Sequence, residues 1–322
     1  LFLLLVFVVI SCKSYRQFLD RQPYNVINEK DSLVDGRYIY GFLNDNKAKF
    51  FFDTGATRSV IQNLDLIGGE DILNTDTSKK LVTINGADGK PFSLYQIKTK
   101  NFYTNTYKSN ERYLVTFNQK QITNICVEKP SRNFDGILGL DAFVNSRTPV
   151  LLDYENSVVK TLEKTPDLNE YVGVDSEIKD NKILLNANIN NVKTQLLFDT
   201  GSDAYIMLNQ NPFFDEPEDL AYETGIITAN NVQSYPLNKV YANQSISVGG
   251  ILNDNNLISV VRSFNANGVG IQFIKNYNWI IDFKKKKVYA KKIKDFNSSS
   301  FIEKLTSVKY KVMATNGHLI IF

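Results

Sequence analysis

Lys47-Ala48-Lys49-Phe50-Phe51-Phe52-Asp53-Thr54-Gly55 is the stretch on which the fold turns, because Lys193-Thr194-Gln195-Leu196-Leu197-Phe198-Asp199-Thr200-Gly201 answers it 146 positions later. An apolar run precedes each, Arg37–Leu43 and Ile183–Ile189, and an Asn-rich turn joins run to run. The two copies align without a gap. Each reads as a β-hairpin whose second strand runs into Asp-Thr-Gly. A second pattern repeats further on. Phe134-Asp135-Gly136-Ile137-Leu138-Gly139-Leu140-Asp141-Ala142-Phe143 leads to Leu151-Leu152-Asp153-Tyr154, and Asn267-Gly268-Val269-Gly270-Ile271-Gln272-Phe273-Ile274 leads to Ile280-Ile281-Asp282-Phe283. With each residue at about 5% frequency, two Asp-Thr-Gly triplets arise by chance in roughly 0.1% of chains this long.

The 322 residues match about two domains, and 43% apolar with 22% charged residues is the balance of a globular protein. A net charge of +3 is too small to argue for nucleic acid or for an acidic membrane surface as partner. There is one histidine, His318, and two cysteines, Cys12 and Cys126. Nucleophilic triads need a histidine in the body of the fold, and zinc sites need several His or Cys ligands. Any chemistry here therefore falls to carboxylates, with no metal and no cofactor expected.

Short runs rich in Tyr, Phe, Ile, Val and Leu, broken by Asn, Asp and Gly, predict a mainly β protein. Beyond the hairpins, strands are expected at Leu81–Ile84, Phe92–Ile97, Tyr113–Phe117 and Val150–Tyr154 in the first half. The second half offers Gly225–Ala229, Leu237–Tyr241, Asn256–Val261 and Trp279–Phe283. Helices are expected to be short, at Leu140–Asn145, Gln272–Asn276 and Ser299–Leu305. The join between halves falls near Thr165–Glu177. Trp279 reads as core, and Lys284–Lys287 as the solvated turn of a hairpin.

The ten apolar residues Leu1–Ile10 are too few to span a bilayer and suit a signal-peptide core. They end at Ser11-Cys12, which resembles the lipobox of bacterial lipoproteins; the resemblance makes Cys12 the lipidated residue. Cys126 then stands alone, as a small apolar core residue.

A strand running into Asp-Thr-Gly delivers a carboxylate on a tight turn, and the glycine admits a second backbone. Two facing carboxyls share one proton and titrate as a pair. The ionised member serves as general base toward water, while the protonated member hydrogen-bonds the scissile carbonyl. Asp53 and Asp199 fit these roles, in either assignment. From Gly36 to Lys292 the chain resembles a pepsin/retropepsin-type aspartic protease with both lobes on one polypeptide. Asp53-Thr54-Gly55-Ala56-Thr57 and Asp199-Thr200-Gly201-Ser202-Asp203 match its active-site turns. Ile137-Leu138-Gly139 matches its hydrophobic-hydrophobic-Gly element, and Gly268-Val269-Gly270 is the second copy with Gly268 at a usually hydrophobic position.

That resemblance implies a bilobal fold of two duplicated, closed β-barrel lobes, with Thr54 and Thr200 cross-bonded beneath the dyad and Gly55 and Gly201 supporting it. It places a substrate-covering flap at Leu81–Ile97 with Asn85, Gly86, Ala87, Asp88 and Gly89 at the tip, and an equivalent hairpin at Ile226–Tyr241. The tip lacks the Tyr-Gly pair of a pepsin flap, and a plain solvated β-turn is the alternative reading. The implied organisation is a signal segment at 1–12, an N-terminal lobe at 13–165, a C-terminal lobe at 166–295 and a tail at 296–322. The tail, with strands expected at Val308–Val312 and His318–Phe322, is read as outside the catalytic core and as the start of a PDZ-like module. The expected activity is a lipid-anchored aspartic endopeptidase of the bacterial cell envelope, periplasmic or surface-exposed. It acts as a monomer on an extended peptide or protein substrate and takes no nucleic acid. The alternative is a catalytically silent peptide- or glycan-binding envelope lipoprotein on the same fold.

Overall fold

The computed structural model describes residues 24–67, 80–85, 91–98, 101–110, 113–117, 134–144, 148–209, 220–224, 238–242, 245–253, 256–260, 266–295, 297, 313–315 and 318–320. Among them the protein is mainly β. The first half supplies β1 (Tyr24–Asn25), β2 (Lys30–Ser32), β3 (Tyr38–Leu43), β4 (Asn46–Asp53), β5 (Val60–Ile61), β6 (Lys80–Asn85) and β7 (Pro91–Lys98). It continues with β8 (Asn101–Tyr103), β9 (Tyr107–Asn110), β10 (Tyr113–Phe117), β11 (Gly136–Gly139), β12 (Val150–Asp153) and β13 (Val158–Thr161). The second half begins with β14 (Val172–Val174), β15 (Ser176–Lys179), β16 (Lys182–Ile189), β17 (Val192–Phe198), β18 (Ile206–Leu208) and β19 (Leu220–Thr224). It closes with β20 (Asn238–Ala242), β21 (Ile246–Val248), β22 (Ile251–Asn253), β23 (Leu257–Val260), β24 (Gly268–Val269), the helix α1 (Ile271–Ile274), β25 (Tyr277–Asp282) and β26 (Lys287–Lys292).

Turn chemistry sets the hairpins. Asn44 and Asp45 hold φ of 48° and 66° between β3 and β4, and Asn190 and Asn191 hold 47° and 68° between β16 and β17. Positive φ at both central residues defines a type I′ turn, whose twist matches the strands and which Asn and Asp tolerate best. In β3 the side chains then alternate, with Ile39 and Leu43 fully buried and Tyr40 and Phe42 outward.

Pairing continues in the same succession from both hairpins. β4 lies between antiparallel β3 and parallel β11, with Gly139 beside Asp53. β17 lies between antiparallel β16 and parallel β24, with Val269 beside Phe198. Next come β5 antiparallel to β11 and β10 parallel to β5; their counterparts are β18 antiparallel to β24 and β23 parallel to β18. Each chain of pairings forms a ten-stranded sheet among the described residues.

A third sheet of six strands, in the order β14-β26-β25-β12-β13-β2, takes strands from both halves. At its centre β25 is buried at every position and pairs with β12, setting Trp279 opposite Leu152. The indole N–H donates to the Ile274 carbonyl at 2.8 Å, and the ring meets Phe198 edge-on at 4.9 Å. Phe198 directly precedes Asp199, so the shared sheet supports the second turn. In the first half Phe52 makes the same kind of edge contact with Phe143, at 5.8 Å.

Several local expectations differ in extent. The helix expected at Leu140–Asn145 is one 3₁₀ turn, Leu140–Ala142, with no side-chain cap at its N-terminus. The one expected at Gln272–Asn276 is α1, capped by Lys275, and Asn276 Nδ2 just beyond donates to the Phe273 carbonyl at 3.2 Å. Lys284–Lys286 form the exposed turn between β25 and β26, and the exposed Lys287 opens β26 opposite Asp282. The expected strand Gly225–Ala229 and helix Ser299–Leu305 lie outside the described residues, as do Cys12 and Cys126. In the tail, Met313–Thr315 and His318–Ile320 pair with each other as a separate two-stranded sheet. No helix among the described residues is long and apolar enough to cross a membrane.

Leu152 is fully buried against the facing strand of the other half. Leu152→Ala is expected to lower stability by roughly 2–5 kcal/mol. Urea unfolding followed through the fluorescence of Trp279, the single tryptophan, measures it; a loss under about 0.5 kcal/mol would mean that the shared sheet does not join the halves.

Candidate active site

The two Asp-Thr-Gly turns meet. Asp53 ends β4, Asp199 follows β17, and the threonine after each reaches into the other turn. Thr54 Oγ1 donates to the Phe198 carbonyl at 2.8 Å and accepts from Thr200 N–H at 3.0 Å. Thr200 Oγ1 donates to the Phe52 carbonyl at 2.8 Å and accepts from Thr54 N–H at 3.0 Å. Both hydroxyls are buried, and each donates once and accepts once.

Above them the carboxyl groups of Asp53 and Asp199 share a hydrogen bond. Asp53 Oδ1 accepts from the N–H groups of Gly55 and Ala56 at 2.8 and 3.1 Å; Asp199 Oδ1 accepts from Gly201 and Ser202 at 2.8 and 3.2 Å. The glycines explain the spelling. A Cβ on Gly55 would stand 2.4 Å from Asp199 Cγ, and one on Gly201 would stand 2.5 Å from Asp53 Cγ. Each turn needs its glycine so that the opposite carboxylate can approach.

Loss of water around the pair pushes both acids up. For Asp53, desolvation outweighs the hydrogen bonds from Asp199, Ala56 and Gly55 that favour its charged form. Asp199 is held well above the usual carboxylate range, by desolvation first and then by the negative charge of Asp53. The arrangement keeps one proton on the pair over a range where an isolated aspartate has lost its own.

Each turn is locked from behind. Leu140 N–H donates to the Ala56 carbonyl at 2.8 Å, and Ile271 N–H donates to the Ser202 carbonyl at 2.9 Å. Ser59 Oγ donates to Asp141 at 2.7 Å and accepts from Gly139 N–H at 3.1 Å, inside the first half. Arg37 pairs with Asp203, four residues after Asp199, and so links β3's approach to the second turn. Sequence reasoning missed both contacts. Only Arg37, the first residue of the repeated segment, carried a signal, since its counterpart Ile183 is apolar.

In the flap region β6 and β7 form the expected antiparallel hairpin, with Asn85 opposite Pro91, and β7 joins the sheet through β10. Gly86, Ala87, Asp88 and Gly89 lie outside the described residues. Of the second hairpin, β19 pairs with β20, while 225–237 lie outside them. Gly268 pairs between Leu197 and Met207 as a strand residue.

No family model and no curated protein matches the sequence. Among solved structures the chain is similar to the crystal structure of basic 7S globulin from soybean, with 8% identity, 84% of this chain and 95% of that chain covered, and a TM-score of 0.45.

The raised pair makes stability depend on pH. An aspartate whose folded pKa exceeds its unfolded value favours folding below the unfolded value of 3.8, and that contribution is lost as pH rises through the folded pKa. Asp199→Asn removes the strained ionisation, so its thermal midpoint is expected to exceed wild type at pH 7–8. The difference should shrink to nothing near pH 3; a constant offset across that range would contradict a raised pair.

Proposed function

We propose that this protein is an aspartic endopeptidase on a bilobal, pepsin/retropepsin-like fold, with Asp53 and Asp199 as its catalytic residues. One observation carries the reading: two carboxyls from segments 146 residues apart share a hydrogen bond and are cross-braced by Thr54 and Thr200. The matching succession of pairings in the two ten-stranded sheets supports the duplicated-lobe part of it. A pair of apposed acids with raised pKa values is costly to maintain, and such groups cluster where proton transfer is needed.

In this mechanism one carboxyl of the Asp53–Asp199 pair carries the shared proton and the other is ionised. The ionised member takes a proton from water as the water oxygen bonds to the scissile carbonyl carbon. The protonated member donates a hydrogen bond to the carbonyl oxygen, on which negative charge develops. The proton taken from water then passes to the amide nitrogen and the C–N bond breaks, leaving a carboxylic acid and an amine. The substrate chain binds extended, through backbone hydrogen bonds and pockets for alternate side chains. The protein works as a monomer, held in the bacterial envelope by lipid on Cys12.

Digestion of a peptide library by wild type, Asp53→Asn and Asp199→Asn tests the reading. Each substitution is expected to abolish cleavage, by at least about 10³-fold, since general acid–base catalysis supplies that much. Wild-type activity is expected to fall as pH rises through the raised pKa of the pair, because the acid is then lost. Cleavage that survives Asp53→Asn would end the proposal. The anchor has its own test: after a wash in high salt, which screens attraction to anionic lipid, Cys12→Ala is expected in the soluble fraction and wild type in the membrane.

A further inference from the structure

The outward face of the first hairpin takes no part in the site above. Tyr40 and Phe42 of β3 are 44% and 38% exposed, and the register sets them opposite Lys49 and Lys47 of β4. The Phe42 ring stacks on Tyr103 of β8 at 4.9 Å and 16°, and Tyr103 faces the exposed Lys108 of β9. The Lys47 ammonium lies 4.8 Å from the centre of the Tyr40 ring. Across four neighbouring strands a pair of rings is thus flanked by lysines on both sides. The acids beside them are engaged elsewhere: Asp135 accepts from Lys49 N–H and Asn63 Nδ2, and Asp45 accepts from Asn101 Nδ2.

The hairpin itself does not require this chemistry. β16 and β17 have the same turn and the same pairing, and there the positions matching Tyr40, Phe42 and Lys49 hold Asn186, Asn188 and Gln195. Gln195 and Asn186 bond to each other at 3.1 Å. One backbone frame therefore carries amides in one half and aromatic–lysine rows in the other.

We propose that the face formed by Tyr40, Phe42, Tyr103, Lys47, Lys49 and Lys108 docks on an anionic bilayer surface. Aromatic rings with polar edges settle at the level of lipid headgroups, and lysines are drawn to anionic lipid. The chain's route agrees. Tyr24 on β1 pairs with Lys108, so the segment from Cys12 enters the sheet at the edge of this face. Twelve residues reach at most about 40 Å, enough for lipid on Cys12 to insert in a bilayer lying against the face. β4 carries the chain from Lys47 to Asp53 over roughly 20 Å, so the dyad stands at the far end of the strand from Lys47.

The proposal rests on the envelope-anchored reading but is testable without it. Full-length Cys12→Ala protein, which has no lipid, is mixed with vesicles of phosphatidylcholine alone or of phosphatidylcholine with phosphatidylglycerol, and sedimented. Binding is expected only with phosphatidylglycerol and should weaken with salt. At about fivefold per lysine, Lys47→Glu with Lys49→Glu should reduce it at least tenfold, and Phe42→Ser should reduce it with no charge change. Lys193→Glu on the counterpart hairpin should matter little. Peptidase activity of these variants on a soluble peptide should equal wild type, which separates failure of docking from failure of the catalytic reading. No binding to phosphatidylglycerol vesicles, equal binding by the charge-reversed variant, or retention on immobilised polyglutamate without vesicle binding would overturn the proposal.

Discussion

Two threonine hydroxyls hold the halves together at the point where electrostatics pushes them apart. Each donates to a phenylalanine carbonyl of the other half and accepts an N–H from the other threonine, so four hydrogen bonds close a buried ring. Parting the turns would leave these groups unsatisfied, at about 1–3 kcal/mol for each. Desolvated carboxyls one residue away have no such reason to stay together once both ionise. Their apposition is therefore imposed from below, by neutral hydrogen bonds that do not depend on which carboxyl is ionised.

Such a ring closes a loop of 146 residues, whose entropy costs on the order of 4–5 kcal/mol before any constant term. The six-stranded sheet helps to offset that cost because it fixes the halves independently of the turns. β12 from the first half and β25 from the second bury Leu152, Trp279 and Ile281 against one another, and the Trp279 ring reaches Phe198 under the second turn. Packing in the shared sheet is thus transmitted to the backbone that presents Asp199.

The hairpins were legible because their signals are local. Alternation along β3 and the Asn44-Asp45 and Asn190-Asn191 pairs each specify a conformation within a few residues. The shared sheet was not. β25 was expected as a strand, but all six of its residues are buried, Asn278 and Asp282 included, so no exposed face says which neighbour it meets. β2 hides for the opposite reason. Its buried residue is Asp31, satisfied by Thr104 Oγ1, Asn105 N–H and Thr106 N–H at 2.7, 2.8 and 3.1 Å, so hydropathy marks it as surface. Ser59 with Asp141 and Arg37 with Asp203 escaped notice because their partners lie 82 and 166 residues away. At the dyad, spelling helped because both triplets carry the same side chains. Its sheltered environment, which raises the two acids, has no such signature.

Where the two halves agree and where they differ follows one rule. Asp53, Thr54 and Gly55 are repeated as Asp199, Thr200 and Gly201, and each of these touches its own counterpart's turn across the interface. In such a reciprocal contact a change on one side must be matched on the other, as at a two-fold dimer interface. Positions that face only their own half are released from that condition. Ala56 is answered by Ser202, and Ser59 by the buried Tyr205. The two aspartates thus share one backbone geometry within surroundings that differ, and loss of water raises both, so that the proton they retain belongs to the pair rather than to either residue.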